Sequence, residues 1–214
     1  MDYELMVSSI PLYAKAAAYT LYLAFCGIAL SLIIGLFCAL VLYFRVRFLS
    51  VFVKAYIELS RNTPLLIQLF FLHFGLKIEA HICAFVALAF LGGSYMAEAF
   101  RSGLEAVEKI QIESALSIGL SRFQLMLYVV LPQALIVSVP ALGANAIFLL
   151  KETSVVSIIS ITDLVAVAKD LISVYYATDE ALLMLVISYL ILLVPISFAI
   201  WFLEKRVRYA TFGN

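Results

Sequence analysis

Few side chains in this sequence could do chemistry, and most of them lie inside apolar stretches. Glu98 sits in "SYMAEAFRSGL" with Arg101 three residues on, along one helical face. An intrahelical ion pair is the plain reading of that spacing; a substrate or gate role is the alternative, because burying ionisable groups in lipid is costly. Lys151-Glu152-Thr153-Ser154 closes a long apolar run. These four offer a cation, a carboxylate and two hydroxyls side by side, or simply mark a membrane interface. Gln68 is a lone amide deep in another apolar run. Asp163 follows Thr162 and reads most simply as a helix start. His73 and His81, eight positions apart, straddle a turn and fit an interfacial place better than a catalytic one. No nucleophile stands beside a base and no metal-ligand cluster is apparent. Neither catalytic nor metal-binding residues are assigned.

The composition explains why polar groups are scarce. The 214 residues are 65% hydrophobic and 13% charged, with a mean hydropathy of +1.12; an ordinary soluble domain carries about 25% charged residues. The chain is predicted to be an all-α polytopic membrane protein, a single domain over residues 1–214. The formal net charge is zero, so nothing points to nucleic acid. Cys26, Cys38 and Cys83 lie in apolar stretches without a C-x-x-C pair and read as small buried hydrophobes.

About five spans are expected: Ala16 to Phe44, a second within Val51 to Leu76, then 80–100, 125–150 and Ala181 to Leu203. The first has 29 uncharged residues, far more than the roughly 7–15 of a signal-peptide core. The second is interrupted by Glu58, Ser60, Arg61 and Asn62. Thr63 then looks like a cap and Pro64 like a first helical residue, which leaves Thr63 to Leu76 as the embedded part. Ten of the 14 Lys and Arg residues fall on one side, Arg61 among them, and four (Lys15, Lys77, Lys151, Lys169) on the other. Positive charge collects in the cytoplasm, which predicts an N-terminus outside and a C-terminus inside. Gly27, Ser31, Gly35 and Ala39, and likewise Ala89, Gly93 and Ala97, recur every fourth residue. Such faces let helices approach closely, within a subunit or across a dimer. Residues 153–172 form two short apolar runs broken at Thr162-Asp163 and read as a re-entrant or cavity-lining element.

One cytoplasmic segment, about 103–125, differs from the rest. "IQIESALSI" can form a short helix with Glu113 in its first turns. Gly119 suits the left-handed residue that ends a helix, and Ser121 with Gln124 makes a capping-box pattern that starts the next. The result is a rigid helix, turn, helix, with the shape of a docking knob.

Glu113-Ser114-Ala115, three residues, Gly119, nine residues, Val129, one residue and Leu131-Pro132 resembles the EAA-loop motif of permease subunits of bacterial ABC importers. "ELSRNTPLLIQLFFLHFGL" (58–76) resembles R-G-T-P-L-L-x-Q-L-F-F-x-Y-F-G-L of the polar amino-acid branch, the histidine and glutamine permease group. "SYMAEAFRSGL", "LPQAL" and "LLKETSVVSIISITDL" match further segments. Departures are Asn62 in place of Gly, Glu108-Lys109-Ile110 in place of Pro-Lys-Gly, and Ala144 and Ala146 in place of Asn and an aromatic residue. The resemblance implies a type I ABC importer permease fold, multi-pass in the bacterial inner membrane. It implies docking of an ABC ATPase through Glu113, Ser114, Ala115, Gly119, Leu131 and Pro132. It also implies an amino-acid substrate held near mid-membrane by Glu98, Asn145, Lys151, Glu152, Thr153 and Ser154, with Gln68 bonding to substrate or across the dimer. The partners it implies are the ATPase, an extracytoplasmic amino-acid-binding protein and a second permease copy or paralogue. The sequence has no G-x-x-x-x-G-K-[ST] phosphate loop, so ATP and Mg would be used by the partner and no cofactor by this chain. The alternative is a self-sufficient secondary transporter or channel for small polar solutes, which would need internal coupling, often from inverted repeats; none is found.

Overall fold

In the computed structural model, residues 2–212 are described, with side chains as far as Val207. Helix α1 (Tyr3–Tyr43) begins where the Asp2 carboxylate accepts the Leu5 amide at 3.0 Å. It therefore starts 13 residues before the expected Ala16 boundary. That boundary followed from the charge on Lys15, but Lys15 is exposed and the helix passes through it, held by the Tyr13 hydroxyl, which donates to Ala181 O at 2.9 Å.

The second span is broken in its middle. Helix α2 (Arg47–Arg61) ends at Asn62, and α3 (Leu65–Phe70) continues into a π-turn, Phe71–Gly75. Both halves run antiparallel to α4 (Ala80–Glu105) along its whole length. Tyr56 and Ser60 donate to Phe90 O at 2.7 and 2.9 Å, while Leu65 and Leu69 pack with Cys83, Ala84, Ala87 and Leu88. The crossing is thus 47–75 in two pieces, rather than Thr63 to Leu76 alone. Nor is Thr63 the cap: its hydroxyl donates back to Leu59 O at 2.8 Å, finishing α2, and Pro64 takes the cap position of α3.

Among the described residues four segments are long and apolar enough to cross a membrane, Tyr3–Tyr43, Ala80–Glu105, Arg122–Ile159 and Thr178–Val207, and Leu65–Gly75 is a shorter apolar helix. The third comprises α6 (Arg122–Leu125), a π-turn, α7 (Leu131–Glu152) and a 3-10 turn, Thr153–Ile159. Pro132 at the start of α7 stands next to the π-turn, where its missing amide leaves no broken bond in the regular ladder. Helix α5 (Lys109–Ser117) precedes α6. Helix α8 (Leu164–Tyr175) and then α9 (Thr178–Phe212) follow the 3-10 turn.

Both small-residue stripes are used up inside the subunit. A Cβ on Gly35 would stand 2.5 Å from Met96 Cβ and 2.8 Å from the Ala97 amide, and one on Gly27 3.1 Å from Leu88 Cβ. Helices α1 and α4 therefore lie parallel in backbone contact, and Ser31 Oγ reaches Leu88 O at 3.4 Å as well as its own Gly27 O at 2.7 Å. Gly93 faces Tyr56 and Ile34 on α2 and α1. This is intrasubunit packing rather than a dimer seam.

Candidate functional site

The segment 109–125 forms a closed unit standing on the transmembrane core. Gly119 has φ +88°, in the region that side chains other than glycine avoid. This lets the Leu120 amide reach Ala115 O at 3.2 Å and the Gly119 amide reach Leu116 O at 3.0 Å, the paired bonds of a Schellman ending. The spacing from Ala115 to Gly119 is thus the spacing from the accepting carbonyl to the left-handed residue. Ser121 and Gln124 then cap each other: Gln124 N donates to Ser121 Oγ at 3.3 Å, and Ser121 N to Gln124 Oε1 at 2.9 Å. Glu113 is the fifth residue of α5, mid-helix and exposed, rather than in the first turn where a dipole would favour it. Ala115 is buried, and Ile112, Leu125 and Met126 pack on Phe100, Leu104, Val107 and Ala134. The outward side keeps apolar groups in the open: Ile118 is 81% exposed and Phe123 76%. Leu131 and Pro132 lie a π-turn further on, supporting the unit rather than lying within it.

A second cluster forms where α2 breaks. The Arg61 guanidinium lies 5.2 Å from the centroid of the Tyr95 ring, and Tyr95 packs on Phe148 at 5.1 Å. Asn145 Nδ2 donates to Tyr95 O at 3.1 Å. Three expected path residues also make contacts within the chain. Glu98 is tied to Arg101, which is also held by Glu105 at 2.8 Å, so the ion-pair reading holds. Gln68 turns inward: its Nε2 donates to Thr63 O at 2.9 Å and Ser60 O at 3.3 Å, splinting carbonyls that the helix break frees. Thr153 is buried and its hydroxyl returns to Leu150 O at 2.7 Å. Asn145 and Glu152 stay on one side of α7, seven residues apart, about two turns. Lys151 is exposed beside Glu152, and Ser154 is half-buried on the following 3-10 turn. The cluster thus gathers Arg61, Tyr95, Glu98, Asn145 and Phe148, with Glu152 two turns along.

Arg61 and Tyr95 were missed from sequence. Arg61 was counted among the cytoplasmic cations, yet it stands beside Tyr95, in the middle of α4 rather than at its end. The available signal was its position just before a Thr-Pro break inside an apolar run. Asn62, one of the departures noted above, has φ −91° and needs no glycine; its side chain donates to Glu58 O at 2.8 Å.

Asp163 is fully buried. Its Oδ1 caps α8 by accepting the Ala166 amide at 2.9 Å, while Oδ2 has no protein partner. Burial pushes its pKa up to about 6. His73 bonds Ile78 O at 2.9 Å and closes the turn before α4, while His81 pairs with the Tyr19 hydroxyl and ties the start of α4 to α1.

Long apolar helices in close contact, a neighbouring helix pair broken beside a cation, and a rigid knob at the cation-rich end describe a polytopic membrane subunit. The chain belongs to the family of binding-protein-dependent transport system inner membrane components, matched over residues 31–209. It is therefore a permease subunit of an ABC transporter in the inner membrane, and the self-sufficient transporter reading falls. It is 34% identical to the probable amino-acid permease protein YxeN of Bacillus subtilis strain 168, over 79% of each chain. It is 30% identical to the nopaline transport system permease protein NocM of Agrobacterium fabrum, over 97% of this chain and 94% of that one. A crystal structure of an amino acid ABC transporter with histidines superposes with a TM-score of 0.86 at 33% identity, covering 96% of this chain and 99% of the other.

Proposed function

We propose that this chain forms half of the path of an ATP-driven amino-acid importer and docks its ATPase through the α5–α6 knob. The observation that carries the reading is the knob itself. Ala115 is anchored in the core, the Schellman bonds fix the turn, and Ile118 and Phe123 are left uncovered. Exposed apolar groups on a rigid support are what a partner groove buries. Glu113 and Ser114 on the exposed side of α5 supply the polar rim. ATP and Mg are used by that partner. Closure of two ATPase subunits moves the two knobs, and with them the α4 and α7 helices on which they stand.

The substrate amino acid carries a carboxylate and an ammonium. The Arg61 cation is exposed and makes no ion pair among the described residues, the Glu98 carboxylate that feels its charge being tied to Arg101, so it meets the substrate carboxylate. Glu152, Asn145 and Ser154 offer acceptors for the ammonium on the adjoining side of α7. A second copy or a paralogue supplies the facing half, and an extracytoplasmic binding protein delivers the substrate.

The test is purification of the tagged permease from its own membranes, followed by reconstitution with the co-purifying ATPase and binding protein. Uptake of an amino-acid panel is then measured. ATP-dependent uptake of one or more amino acids, abolished by stripping the ATPase, is expected. ATP-independent uptake, or uptake only of solutes without the amino-acid group, would overturn the reading.

A further inference from the structure

At the end of the bundle where α1 stops, α2 starts and α4 ends, an open cleft of about 810 Å³ runs between the three helices. It is lined by Arg45, Arg47 and Lys54 from the α1–α2 side and by Glu58, Glu98, Arg101 and Glu105. The three carboxylates outnumber Arg101, but each has a partner within the chain. Arg101 is held by both Glu98 and Glu105, and Glu58 Oε2 accepts from Asn62 Nδ2 at 3.1 Å. Arg45, Arg47 and Lys54 are exposed and make no ion pair among the described residues.

Arg45 is also held at a conformational cost. It has φ +52°, and the turn closes with Val46 N on Val41 O at 3.2 Å and Arg45 N on Leu42 O at 3.1 Å. These are the paired bonds of a Schellman ending, in which the left-handed residue is usually glycine. An arginine is kept there at the expense of some backbone strain. Beside the cations, α2 turns an apolar ridge outward. Phe48 and Phe52 stack edge to face at 4.9 Å, with Val51 between them, and all three are exposed.

We infer that this cleft binds an anionic phospholipid of the inner leaflet: its phosphate sits among Arg45, Arg47 and Lys54, and its acyl chains lie along the Phe48–Phe52 ridge. Three features fix the occupant. Unpaired cations at the cytoplasmic end of a membrane helix attract anionic lipid headgroups. An apolar ridge directly beside them requires a ligand with a tail. The cation-rich end is the cytoplasmic one by the positive-inside rule. The inference stands apart from the amino-acid reading and from the docking knob.

Two paired variants give the test. Lys77, on the turn before α4, is a second non-glycine residue with positive φ (+56°), at the other end of the bundle. Arg45→Gly and Lys77→Gly each relieve one left-handed strain and remove one cation. The permease, purified with its accompanying subunits, is titrated with dioleoyl-phosphatidylglycerol or dioleoyl-phosphatidylcholine in mixed micelles. Retained lipid is counted by native mass spectrometry, and thermal stability is read in parallel. Wild type and Lys77→Gly are expected to retain phosphatidylglycerol in preference to phosphatidylcholine and to melt higher with it. Arg45→Gly should bind it about fivefold more weakly, and Arg45→Gln with Arg47→Gln and Lys54→Gln about a hundredfold, if each surface cation contributes equally. Arg45→Gly in lipid-free detergent should fold at least as stably as wild type, so lost binding is not lost folding. Equal retention of the two lipids by wild type would overturn the inference. So would unchanged phosphatidylglycerol retention in Arg45→Gly, or equal stabilisation by inorganic phosphate alone.

Discussion

Arg61 stacks on Tyr95 with its guanidinium carbon 5.2 Å from the ring centroid, so the cation at the break of one helix is positioned by an aromatic ring at the middle of its neighbour. The contact holds the side chain without consuming its hydrogen bonds, because the attraction is to the ring face and leaves the five N–H donors free. A second aromatic, Phe148 at 5.1 Å, fixes the ring. Three helices thereby present one exposed cation that makes no ion pair among the described residues.

Arg61→Gln is expected to lower ATP-driven amino-acid uptake at least about tenfold, the loss of one charge-assisted bond. Membrane insertion and ATPase co-purification should stay intact. Arg61→Lys should recover part of the rate, since it restores the charge without the planar fork. Uptake by Arg61→Gln at the wild-type rate would remove this residue from the path.

At Gly119 a Cβ would meet nothing within 4 Å, so substitution acts through the backbone alone. Gly119→Val should cost about 1–2 kcal/mol in the turn and release the ATPase on purification. Gly119→Asn, which tolerates the left-handed region, should keep most of it. Pull-down stoichiometry decides between these outcomes.

Gln68→Leu removes the amide that satisfies Ser60 O and Thr63 O. Ser60 O keeps the Thr63 amide at 3.5 Å, while Thr63 O loses its donor, and a loss of about 1 kcal/mol is expected. Fluorescence-detected melting in detergent would show it. A melting point equal to wild type would mean that other groups close the break.

The Asp163 carboxyl holds its proton up to about pH 6, against 3.8 for an unperturbed group. Between those values the folded state binds more protons than the unfolded chain, so stability falls as pH rises through that window. Asp163→Asn keeps an oxygen to cap α8 but cannot ionise. It should melt higher than wild type at pH 7.5, by roughly 1–3 kcal/mol, and converge with it near pH 4. Parallel melting curves at all pH values would contradict the burial of a charged Oδ2.

The sequence alone determined the membrane class, the knob and the family, because each depends on local spacing. Long uncharged runs can only be helices in lipid. Ala115, Gly119, Ser121 and Gln124 act within a few residues of one another, so their order along the chain already contains the geometry. The ion pair from Glu98 to Arg101 was legible for the same reason, one helical turn apart. The tertiary structure decided the rest. Whether Arg61 belongs to the cytoplasmic end or the middle of the bundle depends on where α2 lies against α4, and that is set by Tyr56 and Ser60 reaching Phe90 O, 34 and 30 residues away in sequence. That the Gln68 amide nitrogen turns back onto the break, bonding Thr63 O and Ser60 O, is likewise set by packing. The cleft at Arg45 arises only because three helix ends meet. Hydrogen bonds and charges between distant segments leave no periodic trace in the chain, so packing alone assigns these residues their roles.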